Sequence, residues 1–142
     1  MIGELSGRRS LRHEGQLQCW LAGLQTLLRE HLRLAQLFRG WVEGHETFEI
    51  MAPTPFSLVC FRFNDGRKEE ELNAFNKRLL DRINNHGKVF LTHTTLRGRF
   101  VLRMAIGQRA TQERHVREAW EIIVRSAGDL SKTLPLRFSA HN

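Results

Sequence analysis

An α+β fold, a small sheet layered against helices in the order α-β-β-α-β-β-α, is predicted by three features of the sequence. Apolar residues recur at spacings of three and four over 15–42, over 68–85 and again beyond Thr111, as amphipathic helices require. Between these stretches lie short β-rich runs bounded by glycine, proline and asparagine. The 142 residues amount to one domain, long enough to bury about two-thirds of the unfolded surface. Helices with one apolar stripe and strands with one apolar face cover each other best as a two-layer sandwich.

Residues 1–14 show no clear period and contain Gly3, Gly7 and the pair Arg8-Arg9, so they read as a frayed leader. The domain proper is expected over 15–128. Its first helix carries Leu17, Trp20, Leu21, Leu24, Leu27, Leu28, Leu34, Ala35, Phe38, Trp41 and Val42 as a wide core stripe, and Gly44 marks its end. Thr47–Met51 alternates as a short strand. Pro53 and Pro55 then enforce a turn or a sheet edge. In 57–63, Leu58, Cys60 and Arg62 share one face and Val59, Phe61 and Phe63 the other, a half-buried strand closed by Asn64-Asp65-Gly66.

The second helix buries Leu72, Phe75, Leu79, Leu80 and Ile83. Glu69, Glu70 and Glu71 in its first turns favour the helix dipole, and Asn84–Gly87 ends it. Two strands, 89–96 and 100–106, flank Arg97-Gly98 at hairpin spacing. A last helix from about Thr111 buries Val116, Ala119, Trp120, Ile123 and Val124. Thr111 with Arg114 fails the capping-box pattern. Residues 129–142, with Pro135, are expected to form a flexible tail.

Composition narrows the function classes. Hydrophobic residues make up 41% and charged residues 26%, which argues against wholesale disorder. No apolar run approaches the roughly 20 residues of a membrane span, and the first residues lack the apolar core of a secretory signal. Cys19 and Cys60 stand apart with no partner pattern, which suggests free thiols in a reducing compartment and a cytoplasmic protein. The net charge of +7 comes from arginines interleaved with acids rather than from a cationic run, so solvated helix faces explain it better than nucleic acid does.

No self-sufficient catalytic signature is present. The seven histidines and two cysteines show no metal-ligand spacing, so no metal site is expected, and no Walker loop, GxGxxG turn or nucleophile elbow occurs. Arg97-Gly98-Arg99-Phe100-Val101 imitates the basic-glycine-aromatic strand of an RNA-recognition motif, but the aromatic after glycine is missing. Phe61 is then the one candidate for the second stacking platform; a standalone binding module for RNA or another anion is kept as the alternative function. His93 reads as a hydrogen-bonded strand residue that could do acid–base work beside a cleft. Arg103 interrupts the apolar run 100–106, so its guanidinium must reach solvent, a carboxylate or a phosphate.

Several ordered segments carry a family resemblance. Ala22–Gln25 with His31–Ala35, then Phe48-Glu49-Ile50 and Ser57–Arg62, then Asn73–Ile83, Leu91–Thr94, Phe100–Gly107 and Thr111–Val116 with Ala119-Trp120, resemble the C-terminal small domain of group II pyridoxal-phosphate-dependent decarboxylases, which include the aromatic-L-amino-acid decarboxylases. The resemblance covers about three-quarters of the chain and leaves the first 20 residues unmatched. It implies the small domain of a fold-type-I enzyme, an obligate homodimer, a large-domain partner, pyridoxal 5'-phosphate as cofactor and loss of carboxylate from an amino acid. In the family the cofactor lysine follows Asn-Pro-His in the large domain, and that setting is absent around Lys68, Lys77 and Lys88. The chain is therefore expected to contain no cofactor-binding residue and to be inactive alone, as a domain, a fragment or a regulatory subunit. Arg103 corresponds by resemblance to a strand arginine near the active-site entrance, where it would orient or screen neighbouring groups.

Overall fold

In the computed structural model, residues 2–54, 56–108 and 110–134 are described, residues 2–13 through their backbone. The chain runs α1 (Ile2–Glu43), β1 (Phe48–Ile50), β2 (Leu58–Phe63), α2 (Glu69–His86), β3 (Thr92–Leu96), β4 (Arg99–Ala105) and α3 (Glu113–Thr133). This is the predicted order, and the four strands form one antiparallel sheet in the order β1-β2-β4-β3.

The sheet's two faces follow from its register. Phe61 lies opposite Ile50 and Leu102, Leu102 opposite His93, and Phe63 opposite Phe48. These positions look toward the helices, where Phe48, Val59, Phe61, Phe63 and Leu102 join Leu34, Phe38, Val42, Phe75, Leu79, Ile83, Val116 and Ile123 in one buried cluster. Edge-to-face contacts knit it together: Phe38 to Phe61 at 5.4 Å, Phe48 to Trp120 at 5.1 Å, Phe48 to Phe63 at 5.5 Å. Such pairs add about 0.5–1.5 kcal/mol each beyond their area. The second face carries Glu49, Leu58, Cys60, Arg62, Thr92, Thr94, Val101 and Arg103.

Helix α2 also repairs the sheet. Beyond the Phe61–Leu102 pair, β2 and β4 no longer bond each other, and asparagines of α2 take over their polar groups. The Phe63 N–H donates to Asn76 Oδ1 at 2.8 Å, and Asn76 Nδ2 donates to the Phe63 carbonyl at 3.0 Å. The Phe100 N–H donates to Asn73 Oδ1 at 2.8 Å, while Asn73 Nδ2 donates to the Gly98 carbonyl. Asn84 does the same for both polar groups of Leu91, ahead of β3. At the other end of the sheet, buried His31 of α1 uses Nε2 to bond the Gln108 carbonyl at 3.0 Å.

Four expectations need correction. Helical backbone continues through 2–14, where a frayed leader was expected, and α3 runs to Thr133 with Leu130 buried, where a tail was expected to begin at 129. The rest of that tail, 135–142 including Pro135, lies outside the described residues, as do Met1 and Pro55. The first helix buries only the second half of its stripe: Leu17, Trp20, Leu21 and Leu28 are exposed. At about 1.5 Å per residue, a 42-residue helix outruns the layer beneath it. Strand β2 is buried on both faces, not one, because Arg62 is covered on its own face by acids. A milder departure concerns α3, where the Gln112 N–H donates to His115 Nδ1 at 3.0 Å. The cap thus forms one residue beyond the Thr111–Arg114 pair.

Arg62 is the charged hub of the second face. Its side chain is 3% exposed; Nε meets Glu49 at 2.6 Å and Nη1 meets Glu69 at 2.8 Å. The hydrogen bond from Arg62 holds the Glu69 carboxyl below the usual glutamate range, outweighing the opposing effect of burial. A carboxyl with a lowered folded pKa stabilises above its unfolded pKa and loses that contribution as pH falls through the folded value. Unfolding followed against pH should show stability declining below the ordinary glutamate range, and a shallower decline in Glu69→Gln. Arg62→Met should cost about 2 kcal/mol in denaturant melts, the usual scale for hydrogen bonds to charged groups. In the hairpin, Arg97 (φ 53°) and Gly98 (φ 77°) form a two-residue turn with both φ positive. Gly98→Ala should therefore lower unfolding free energy by about 1 kcal/mol in the same assay.

Candidate functional site

The two residues singled out by the sequence fall on opposite faces of the sheet. His93 pairs with Leu102 on the helix side and stacks on the Phe100 ring at 4.7 Å and 13°. Arg103, one residue along β4, lies between Cys60 of β2 and Thr92 of β3 on the second face. A single site cannot use both. His93 is an exposed, ring-stacked strand residue, with no acid beside it in the register.

The second face is thus the candidate site, with Arg103 at its centre. The residue is half-buried and, among the described residues, forms no ion pair. Arg62, two residues beyond Cys60 on the same face of β2, is occupied by Glu49 and Glu69. Sequence alternation placed the two arginines alike; only the register shows that Arg62 has an acid for a cross-strand neighbour whereas Arg103 has a thiol and a hydroxyl. A strand-mounted guanidinium can bind or screen a carboxylate or phosphate but does not move protons near neutral pH.

A pyridoxal-phosphate Schiff base would have to use one of four lysines. Lys68, Lys77, Lys88 and Lys132 are all exposed on helices or in a loop, and Lys88 is paired with Glu118 at 3.2 Å. A Schiff-base lysine needs a desolvated or charge-tuned setting, and none of the four has one.

The two rings named for the RNA alternative do not form a stacking platform. Phe61 is fully buried in the core, and Phe100 faces the helices beneath His93. No described helix is long and apolar enough to cross a membrane.

Comparison with known proteins gives the context that the chain's own residues leave open. No protein-family model matches it. A tyrosine decarboxylase of Narcissus pseudonarcissus is 40% identical over 121 residues, covering 80% of this chain and 24% of that protein. A phenylacetaldehyde synthase of Arabidopsis thaliana is 45% identical over 108 residues, 75% of this chain and 22% of that one. Among solved structures, the Oryza sativa TDC with PLP and tryptamine superposes with a TM-score of 0.75 at 38% identity, over 77% of this chain and 24% of that one. Catharanthus roseus tryptophan decarboxylase in complex with L-tryptophan gives 0.72 at 40%, over 75% and 22%. Mouse CSAD, at 18% identity and a TM-score of 0.69, shares the fold alone. The chain therefore spans about a quarter of the length of the curated relatives it matches. Sequence and fold together relate it to a C-terminal portion of the group II pyridoxal-phosphate-dependent decarboxylases.

Proposed function

We propose that this chain is the C-terminal small domain, or a fragment, of a pyridoxal-phosphate-dependent amino-acid decarboxylase and is catalytically incompetent by itself. The observation that carries the reading is the 40% identity over 121 residues, confined to 24% of the relative's length. The cofactor lysine and the large domain then belong to the part of the parent enzyme that these residues do not include, and the parent pairs with a second copy of itself and works in the cytoplasm. Pyridoxal phosphate, when bound in that parent, supplies the electron sink for loss of carbon dioxide.

Two surfaces support the assignment. Between Leu17 and Leu32, α1 exposes Leu17, Trp20, Leu21, Leu28 and Leu32, an apolar stripe that is unusual unless another body covers it. The second sheet face presents Arg103 with no acid of its own. In the assembled enzyme Arg103 orients or screens an anionic group at the edge of the active site and takes no part in bond-making.

Incubation of the chain with pyridoxal phosphate, borohydride reduction and peptide mass spectrometry should find no lysine labelled above a denatured control. Stoichiometric labelling of one lysine, with carbon dioxide released from an aromatic amino acid, would overturn the proposal. Arg103→Met should shift the chain's unfolding free energy by less than about 0.5 kcal/mol, the range of surface changes that break no internal contact. A loss as large as that expected for Arg62→Met would mean that Arg103 is a structural residue.

A further inference from the structure

Helix α1 carries one stretch of apolar surface that no described residue covers. Leu17 is 54% exposed and Trp20 59%, and Leu21 and Leu28 are exposed beside them. Leu24 and Leu27, half-buried, fill the stripe between. Single exposed leucines are ordinary on a protein surface, whereas a contiguous patch of this kind marks a docking face.

The spacing sets the shape of the partner. Leu17, Leu21, Leu24 and Leu28 follow one another at four, three and four residues, the alternation of the inner positions of a two-stranded coil. Trp20 and Leu27 flank that seam on one side, and Gln18 and Gln25 flank it on the other. What fits along it is a second helix with an apolar seam, over about two heptads.

Charge then selects which helix. Residues 15–28 contain no Asp, Glu, Lys, Arg or His, although charged residues make up 26% of the chain. The positions beside such a seam ordinarily hold the charges that favour one partner and repel another. Here they hold glutamine, tryptophan and leucine, so an identical helix meets no like charge and an acidic helix gains nothing. Two copies at +7 each repel over most of their surfaces, and this segment is where that repulsion is least. A helix lying on an anionic lipid surface carries Lys and Arg on its polar side. The side of this segment turned from the seam, with Cys19, Ala22 and Thr26, carries none.

The area is sufficient for a reversible contact. The exposed parts of Leu17, Trp20, Leu21, Leu28 and Leu32 come to roughly 500 Å² a copy, close to the ~600 Å² a side that the smaller specific interfaces bury.

We propose that a second copy of this chain docks along Leu17–Leu28 of α1, joining two chains through a two-helix seam. The seam begins within the first 20 residues, which the family resemblance leaves unmatched. The contact therefore goes beyond the decarboxylase reading, and neither stands or falls with the other.

The test is analytical ultracentrifugation of the full 142-residue chain. A reversible equilibrium between 16.6 kDa and twice that mass is expected at about 1–100 μM, the range of a small interface. Leu21→Glu and Leu21→Lys should each weaken dimerisation at least tenfold, because like charges then face each other across the seam. An equimolar mixture of the two variants should associate within severalfold of the original chain. Leu21 is exposed and outside the core cluster, so the circular dichroism of both variants should match that of the parent monomer. Phe90→Glu, at an apolar residue 78% exposed in the α2–β3 connection, should leave the dissociation constant unchanged. A chain that stays monomeric throughout the range, or a dimer indifferent to Leu21→Glu, would overturn the proposal. So would a monomer that binds vesicles of phosphatidylcholine and phosphatidylserine through Leu21, which would assign the stripe to lipid.

Discussion

The placement of α2 on the sheet is the constraint from which most of the remaining geometry follows. Asn76 is fully buried and spends its side-chain amide on the backbone of Phe63 and on the Leu72 carbonyl. That bond fixes both the height and the rotation of α2 relative to β2. Phe75 then stacks on Phe63 at 4.3 Å, and Asn73 meets the start of β4. The first turn is carried round to the second face, where Glu69 reaches Arg62 and Arg99. A buried amide with all its partners present is specific because any other register would leave it unpaired in an apolar layer.

Elements whose logic is local could be read from the sequence. The apolar period defines three helices, alternation defines the strands, and Arg97-Gly98 announces a two-residue turn. What could not be read was where polar residues find partners across the chain. Asn73 and Asn76 look like ordinary solvent-side residues of an amphipathic helix, yet they complete the hydrogen bonding of two strands. Arg62 looks like a surface residue by alternation, and Glu69 like a dipole-favouring acid. Their union depends on α2 beginning beside β2, which no spacing encodes. His31 is similar: one of seven histidines in the sequence, it is buried because the Gln108 carbonyl needs a donor there.

The stripe on α1 misleads in the opposite direction. Its period is continuous from Leu17 to Val42, so sequence assigns all of it to one core. The sheet and the other two helices reach only the part from His31 onward. Periodicity reports that a face is to be covered, not that the same chain covers it. Among the described residues nothing covers this part of the stripe, and the chain spans about a quarter of its relatives' length.

The same reasoning sharpens what Arg103 can be. Arg62 and Arg103 each interrupt an apolar strand, on the same face, and each lies one strand in from a sheet edge. Arg62 is neutralised from within by Glu49 across the ladder and Glu69 from the helix. Arg103 has Cys60 and Thr92 as cross-strand neighbours, and neither carries a charge that could hold it. Arg103 is only partly buried, and no acid of the described residues holds it. A structural role therefore belongs to Arg62, while the role proposed for Arg103 calls on an anion from outside the described residues.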